Sequence, residues 1–390
     1  MLDLTTSLEH CTFCPRLCSH ACPVSLTSAR EALTPQAKMS FYAARKLGEG
    51  SFAATGAVDE TALPQRPLPI YACTGCGACT TACVHKVEPA RALMQARSDA
   101  EAAEVGAETL IDLPERHARR VQKTGAALAA APALAERTAQ PGEVAFLPSC
   151  LARDSTAQSG TSPAEPGPVR EAAAFLRISD RLRVTRPDFP ATGLAALPAS
   201  CAGYPLYAGG FIAPFRLYAE TFAHAVQDYE VLAVSCSACT WLLRTQYADY
   251  GVPLRPRILH VSELLAPYAE ALPVTRPLAS VNYHDPCHLG RRLGCYEPPR
   301  QLLRRIAGRV CELPNHGEEA RCCGAGGLLP LTERALAGAM ARDRVGELAD
   351  SDQPHAPLVS SCPGCQHHMG RSAPGVGVTD LLAILDEASR

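Results

Sequence analysis

The chain of 390 residues contains no unbroken apolar run of 18 residues, so its sequence offers no membrane-spanning helix. It also lacks a charge imbalance. Its 37 Lys+Arg stand against 39 Asp+Glu, a net charge of −2, which leaves neither the basic footprint of a nucleic-acid binder nor a polybasic membrane patch or acidic tail. The opening residues MLDLTTSLEHC have neither a basic n-region nor an apolar h-region, which predicts a cytoplasmic protein whose membrane contact, if any, is peripheral or through a partner. No dinucleotide fingerprint, P-loop or nucleophile elbow occurs. The run Gly324-Ala325-Gly326-Gly327 lacks the strand–turn–helix setting of a dinucleotide site and reads as backbone passing close to whatever the neighbouring cysteines Cys322 and Cys323 bind. A chain without these devices is not expected to activate an organic substrate alone. With 47% hydrophobic and 19% charged residues it is a folded globular protein, long enough for two or three domains.

Cysteine is what the chain has in excess: 19 residues, an odd number. Disulfide scaffolds are short secreted chains that need staples, and this chain is long enough to bury a core. Most of its cysteines stand two to four residues apart, too close along the chain for relaxed disulfides but well placed to converge on a metal.

Two runs carry the strongest signal. The first is Cys11-Thr-Phe-Cys14-Pro-Arg-Leu-Cys18-Ser-His-Ala-Cys22-Pro23; the second is Cys73-Thr-Gly-Cys76-Gly-Ala-Cys79-Thr-Thr-Ala-Cys83. The second keeps C-x2-C-x2-C-x3-C throughout, and the first has one extra residue after Cys14. In such runs three cysteines hold one cubane iron–sulfur cluster and the fourth crosses to the other cluster. The pattern predicts Cys11, Cys14, Cys18 and Cys83 on one 4Fe–4S cluster, and Cys73, Cys76, Cys79 and Cys22 on a second. Gly75 and Gly77 relieve crowding there. Four thiolates would also suit tetrahedral zinc, although zinc modules present separated C-x2-C pairs. Helices are expected over residues 28–47 and 89–107, then a helical connector from 108 to 142.

Beyond the connector the chain repeats itself. Short apolar strands, Val144–Leu147 and Val281–Tyr283, lead to Cys150 and Cys287. Val231–Val234 and Pro357–Ser360 lead to Cys236-Ser-Ala-Cys239 and Cys362-Pro-Gly-Cys365. Between them lie Cys201-Ala202-Gly203 and Cys322-Cys323-Gly324. The offsets between matching cysteines are 137, 121, 126 and 126, and the largest change between them falls at an insertion placed at 154–168. Offsets this close argue for duplication of a small α/β unit with a parallel sheet. Ligands of such sheets gather beyond the carboxyl ends of the strands, where these cysteines fall. Helices are expected at 299–308, 332–348 and 379–387.

The second repeat, Cys287…Cys322-Cys323-Gly324…Cys362-x-x-Cys365, resembles the CCG cysteine-rich domain. With the N-terminal runs, the chain resembles a family of iron–sulfur electron-transfer subunits. That family includes the glycolate oxidase iron–sulfur subunit, the C subunit of anaerobic glycerol-3-phosphate dehydrogenase and the heterodisulfide reductase B and D subunits. The resemblance implies a helical dicluster ferredoxin domain over 1–107, the connector, a cysteine-rich repeat over 143–275 and a second, complete one over 276–390. It implies a third cluster, of an unusual noncubane kind in the heterodisulfide reductases, on Cys287, Cys322, Cys323, Cys362 and Cys365. The first repeat keeps Cys150, Cys201, Cys236 and Cys239, but Ala202 replaces one cysteine, which leaves either an ordinary four-thiolate site or a degenerate one. The implied partners are an FAD-linked dehydrogenase subunit acting on a 2-hydroxy acid or glycerol-3-phosphate, and a quinone or other membrane-associated acceptor. A heterodisulfide-reductase-like activity is the alternative.

His284, Asp285 and His288 around Cys287 are read as strand-end residues that satisfy backbone groups, with cluster tuning or proton donation as the alternative. His367 and His368 are read as surface residues, and Cys295 and Cys311 as buried thiols.

Overall fold

In the computed structural model the described residues are 3–12, 14, 16–47, 69–104, 106–151, 166–195 and 201–390. They form two compact units that cut across chain order. One gathers Met1–Arg116, Pro205–Phe215 and Arg321–Arg344; the other gathers His117–Tyr204, Arg216–Ala320 and Val345–Arg390. Among the described residues no helix is long and apolar enough to cross a membrane.

The first unit is helical. Its helices include Leu4–Thr12, Pro23–Ser28, Pro35–Leu47 and Pro89–Ala102, and three of these begin on proline, whose fixed φ suits a first turn that has no hydrogen bond to lose. The helix expected over 28–47 is two pieces. Ala29 turns left-handed at φ 51°, and Thr34 then caps the next helix by accepting the Ala37 N–H at 3.2 Å, just before Pro35. The helix expected over 89–107 stops at Ala102. Leu8, Met39, Tyr42, Tyr71 and Leu93 are buried together as its core. Two of its tyrosine hydroxyls reach carboxylates, Tyr42 to Asp99 at 2.7 Å and Tyr71 to Glu101 at 3.0 Å.

The second unit contains two four-stranded parallel sheets. The strands are β1 Val144–Leu147, β2 Thr192–Leu194, β3 Val231–Val234, β4 Arg257–His260, β5 Leu278–His284, β6 Ala307–Glu312, β7 Leu358–Ser360 and β8 Val378–Asp380. The sheet orders are β2-β1-β3-β4 and β6-β5-β7-β8, the same topology twice. Both inner pairs end in register: Leu147 lies opposite Val234, and His284 opposite Ser360. β1 and β3 are buried at every residue, as a sheet covered on both faces requires. One hydrophobic core serves both repeats, with Phe146, Phe175, Leu176, Tyr283, Leu303 and Leu385 in it. Phe146 stacks on Phe175 with centroids 4.1 Å apart. The insertion placed at 154–168 lies outside the described residues up to 165, and its remainder opens the helix Gly167–Thr185.

Three helix expectations need correcting here. The helix predicted at 299–308 starts earlier, at Glu297, and ends at Ile306, because Ala307 begins β6. That at 332–348 is a short turn Leu329–Thr332 followed by Arg334–Gly346. That at 379–387 begins at Leu381: Thr379 belongs to β8, and Asp380 caps the helix by accepting the Leu382 N–H at 2.8 Å.

The C-terminal helix Leu381–Ala388 is tied to the first repeat by charge. Asp386 accepts from Arg177 at 2.7 Å and Arg181 at 2.9 Å, both on the helix Gly167–Thr185, and from Arg390 at 3.1 Å. Burial disfavours the Asp386 carboxylate, but hydrogen bonds from Arg177 and Arg181 outweigh it and hold the carboxyl below its usual range. A depressed folded pKa means that this stabilisation is present above the unfolded carboxyl value, about 4, and is lost as pH falls through the folded value. Asp386→Asn should therefore lower unfolding stability by about 1–3 kcal/mol at neutral pH. Denaturant titrations should find the gap from wild type closing as the pH drops below about 4.

Candidate metal centres

The first unit draws its thiols into two interleaved sets. Cys11 is pushed up to about 12 by burial first and then by Cys18, Cys83 and Cys14, so the last cysteine of the second run lies among the first three of the first run. Cys18 is pushed up to about 11 by burial and by Cys14, Cys22 and Cys83. Cys22 is pushed up to about 11 by burial, against the pull of Lys38, and its thiol neighbours are Cys76 and Cys73. Cys79 faces the cavity beside the first set: a space of about 520 Å³ walled by Cys11, Cys14, Cys18, Cys79 and Cys83, with His10, Leu17, Val84 and His85 among its other walls. None of the 19 cysteines is in a disulfide. Crowded thiols that repel one another in their charged form are what a cationic metal core relieves, so the donor set fits iron–sulfur clusters.

One backbone device recurs at three cysteines. In Cys73-Thr74-Gly75, Cys201-Ala202-Gly203 and Cys322-Cys323-Gly324 the glycine adopts positive φ, at 72°, 79° and 87°, and its N–H donates to the cysteine sulfur at 3.5, 3.4 and 3.5 Å. Only glycine enters that conformation freely, and an N–H aimed at sulfur favours the thiolate. Gly75 thus does more than relieve crowding. Cys322 also lies 3.5 Å from the Thr74 hydroxyl. The segment after it lies directly on the second run: a Cβ on Gly326 would stand 2.3 Å from Thr74 O, and one on Gly327 1.9 Å from Cys73 O. What this glycine run approaches here is the Cys73–Thr74 backbone.

In the second unit the cysteines follow the carboxyl ends of adjacent inner strands. Cys150 and Cys287 each come three residues after the strand ends Leu147 and His284, while Cys236 and Cys362 each come two after Val234 and Ser360. β1–β3 and β5–β7 are where the strand order reverses, the crevice in which open parallel sheets place their ligands. Cys150 and Cys201 are hydrogen-bonded; the Cys201 thiol and the charge of Arg120 draw Cys150 down, while Cys201 is driven up. Cys239 lies near Cys201 and hydrogen-bonds Cys236. Cys236 in turn meets Cys362, which receives hydrogen bonds from Cys236 and Cys365 and is held well below the usual thiol range. The two C-x-x-C loops therefore touch, and Ser237 Oγ donates to Ser361 O across the same junction at 2.9 Å. Tyr218 and Tyr247 pin the first repeat's loop by donating to Cys201 O at 2.6 Å and Ala202 O at 2.9 Å. Neither tyrosine, nor Arg120, carries a sequence signal, because each lies far along the chain from the cysteine it serves.

Of the residues flanking Cys287, Asp285 does structural work: Arg300 grips it with a two-pronged contact at 2.7 and 2.8 Å, and the Gly317 N–H donates to it. Arg300 also pairs with Glu312. His288 instead touches the Cys287 sulfur at 3.5 Å, between the rings of Trp241 and Tyr204. Burial and then Arg292 hold His288 down to about 3, so its ring is neutral. His284 is buried at the end of β5. His367 and His368 are half-buried on the helix Pro363–Ser372 and not surface residues, because that helix packs its sides against β7 and β8. Cys295 and Cys311 are buried.

Family comparisons agree with this chemistry. A model described as a 4Fe-4S dicluster domain matches residues 7–87, and one described as a cysteine-rich domain, CCG, matches residues 281–370. The chain is thus an iron–sulfur protein that joins these two kinds of domain. It is 34% identical over 164 residues to the D subunit of the dihydromethanophenazine:CoB–CoM heterodisulfide reductase of Methanosarcina barkeri, 39% of either chain. It is 29% identical over 193 residues to the B subunit of fumarate reductase (CoM/CoB) from Methanothermobacter marburgensis, 48% of this chain and 38% of that one. To the probable iron-sulfur-binding oxidoreductase FadF of Bacillus subtilis it is 32% identical over 149 residues, 37% of this chain and 21% of that one. The chain spans half or less of the length of the curated relatives it matches.

Arg300→Leu should leave Asp285 as an uncompensated buried charge beside the Cys287 loop. The expected loss of stability is about 3–5 kcal/mol, read as a drop in unfolding midpoint. An unchanged midpoint would return Asp285 to the candidate proton donors.

Proposed function

We infer that this chain is an electron-transfer subunit of an oxidoreductase complex. The observation that carries the reading is the interleaving of the two N-terminal thiol sets, with Cys83 among Cys11, Cys14 and Cys18, and Cys22 beside Cys73 and Cys76. We assign one 4Fe–4S cluster to Cys11, Cys14, Cys18 and Cys83, and a second to Cys22, Cys73, Cys76 and Cys79. Such clusters exchange one electron at a time, with potentials set by burial, charge and hydrogen bonds to sulfur. The motif matched over 281–370 supports a third cluster, on Cys287, Cys322, Cys323, Cys362 and Cys365. Cys150, Cys201, Cys236 and Cys239 are the candidate ligands of a fourth. The donor on this reading is an FAD-linked dehydrogenase subunit, oxidising a 2-hydroxy acid such as glycolate or lactate, or glycerol-3-phosphate. The acceptor is a quinone or another carrier. A relative named EtfAB:quinone oxidoreductase, 34% identical over 143 residues, supports a quinone. The four segments 1–107, 108–142, 143–275 and 276–390 are our division of the chain.

A second reading, disulfide reduction of the heterodisulfide-reductase kind, is favoured by the contact between Cys236 and Cys362. It stands behind the first because Ala202 leaves the first repeat one thiol short.

Anaerobically purified protein should be brown. Loading of the two N-terminal clusters alone gives about eight irons per chain, and a third cluster raises this to about twelve. Zinc in place of iron defeats both readings. Ala202→Cys should raise iron content or alter the EPR spectrum if the first repeat holds a cluster, and a co-purifying flavoprotein should separate electron transfer from disulfide reduction.

A further inference from the structure

Two cations are buried in the first unit against one of its thiol sets. Lys38 is 1% exposed and Arg97 0%. Lys38 Nζ donates to Ala72 O, next to Cys73, and its charge is felt at Cys22. Arg97 donates to the carbonyls of Ile70, Tyr71 and Cys73 at distances between 2.9 and 3.2 Å, to Ala208 O at 2.6 Å and to Gly327 O at 2.9 Å. It therefore fixes both the Cys73 strand of chain and the segment following Cys322 and Cys323. At the other set, the charges acting on Cys11 and Cys18 are those of thiols, Cys18 also accepts the Gln36 N–H, and the cavity, which Cys79 shares, opens between Leu17, 49% exposed, and Val84, 75% exposed.

Burying an ammonium and a guanidinium is costly unless negative charge is held close by. A thiolate-ligated cluster supplies that charge, and more of it after reduction. A fixed positive charge nearby therefore favours the reduced form. We propose that Lys38, with Arg97 behind it, raises the reduction potential of the cluster on Cys22, Cys73, Cys76 and Cys79 above that of the cluster on Cys11, Cys14, Cys18 and Cys83. Electrons then enter at the first, solvent-facing site and run downhill to the second, which stands beside Cys322. Each step moves one electron and no atoms. A reduced donor protein loses an electron to the first site, and the first site is reoxidised as the second is reduced. The proposal rests on the electron-transfer reading.

The test is an EPR-monitored redox titration of the anaerobically purified full chain. Cys18→Ser and Cys76→Ser mark which signal belongs to which site. In wild type the signal altered by Cys76→Ser should have the higher midpoint. Lys38→Met should shift that midpoint down, at unchanged iron content, by a tenfold change in the reduced-to-oxidised ratio, about 59 mV for one electron. Lys38→Arg, which keeps the charge, should restore it. A reversed order in wild type overturns the proposal while leaving the electron-transfer reading intact, and it decides the matter even if the Lys38 variants do not fold. A shift on the other signal, or an equal shift in Lys38→Arg, also overturns it. A wild-type chain without iron overturns both.

Discussion

Mutual repulsion among buried sulfurs is the constraint around which this protein is organised. A thiol in a low-dielectric site is reluctant to ionise, and each neighbouring thiolate makes it more so. Cys11, Cys18 and Cys22 are all raised for these two reasons. Packing that forces such groups together gains nothing in the apo chain. It gains a great deal when a metal core replaces the protons, because binding free energy is then added to folding free energy. The local devices serve the same end. Glycine N–H groups point at Cys73, Cys201 and Cys322, Lys38 sits near Cys22, and Arg120 lies by Cys150. Each offers positive charge, whole or partial, where sulfur carries negative charge.

The duplicated half meets the constraint through topology. A parallel sheet with order β2-β1-β3-β4 opens a crevice beyond β1 and β3, because the chain leaves those two strands in opposite directions. Placing one cysteine three residues past β1 and another two past β3 puts both on the same rim, and the second copy repeats the offsets after β5 and β7. The shared core around Phe146, Tyr283 and Leu385 holds the copies together, so the C-x-x-C loops meet without any covalent link. The Asp386 cluster adds a polar clamp on the outside of that core.

The cysteine spacing, the duplication and the inner strands Val144–Leu147 and Val231–Val234 were all legible in the sequence, because each is a pattern among near neighbours or a fixed offset. The flanking strands were not. β2 and β8 have three residues each, too few for a period to register, and β8 passes straight into a helix capped by its own last residue. β4 is hidden in the same way, since His260 ends the strand and also forms the capping box of the next helix with Glu263. Arg97 was invisible for a different reason. An arginine between Ala96 and Ser98 on a helix reads as a solvent-facing charge, and only the fold shows it turned inward onto five carbonyl-bearing residues. Compactness by unit was equally out of reach, because one unit breaks off at Arg116, resumes at Pro205, breaks off again at Phe215 and resumes at Arg321.

The first repeat keeps the loop of the second with Ala202 in the place that Cys323 takes there. Ala202 is fully buried, and its carbonyl is held by Tyr247 while that of Cys201 is held by Tyr218, so the loop keeps its shape without the missing sulfur. The glycine N–H still points at Cys201, as its counterpart does at Cys322. The retained thiols also remain linked, Cys150 to Cys201 and Cys239 to Cys236. In this loop the first repeat thus keeps the backbone geometry of its counterpart with one sulfur fewer. Its Cys236 still reaches the intact copy at Cys362, so whatever charge the second repeat carries is felt in the first.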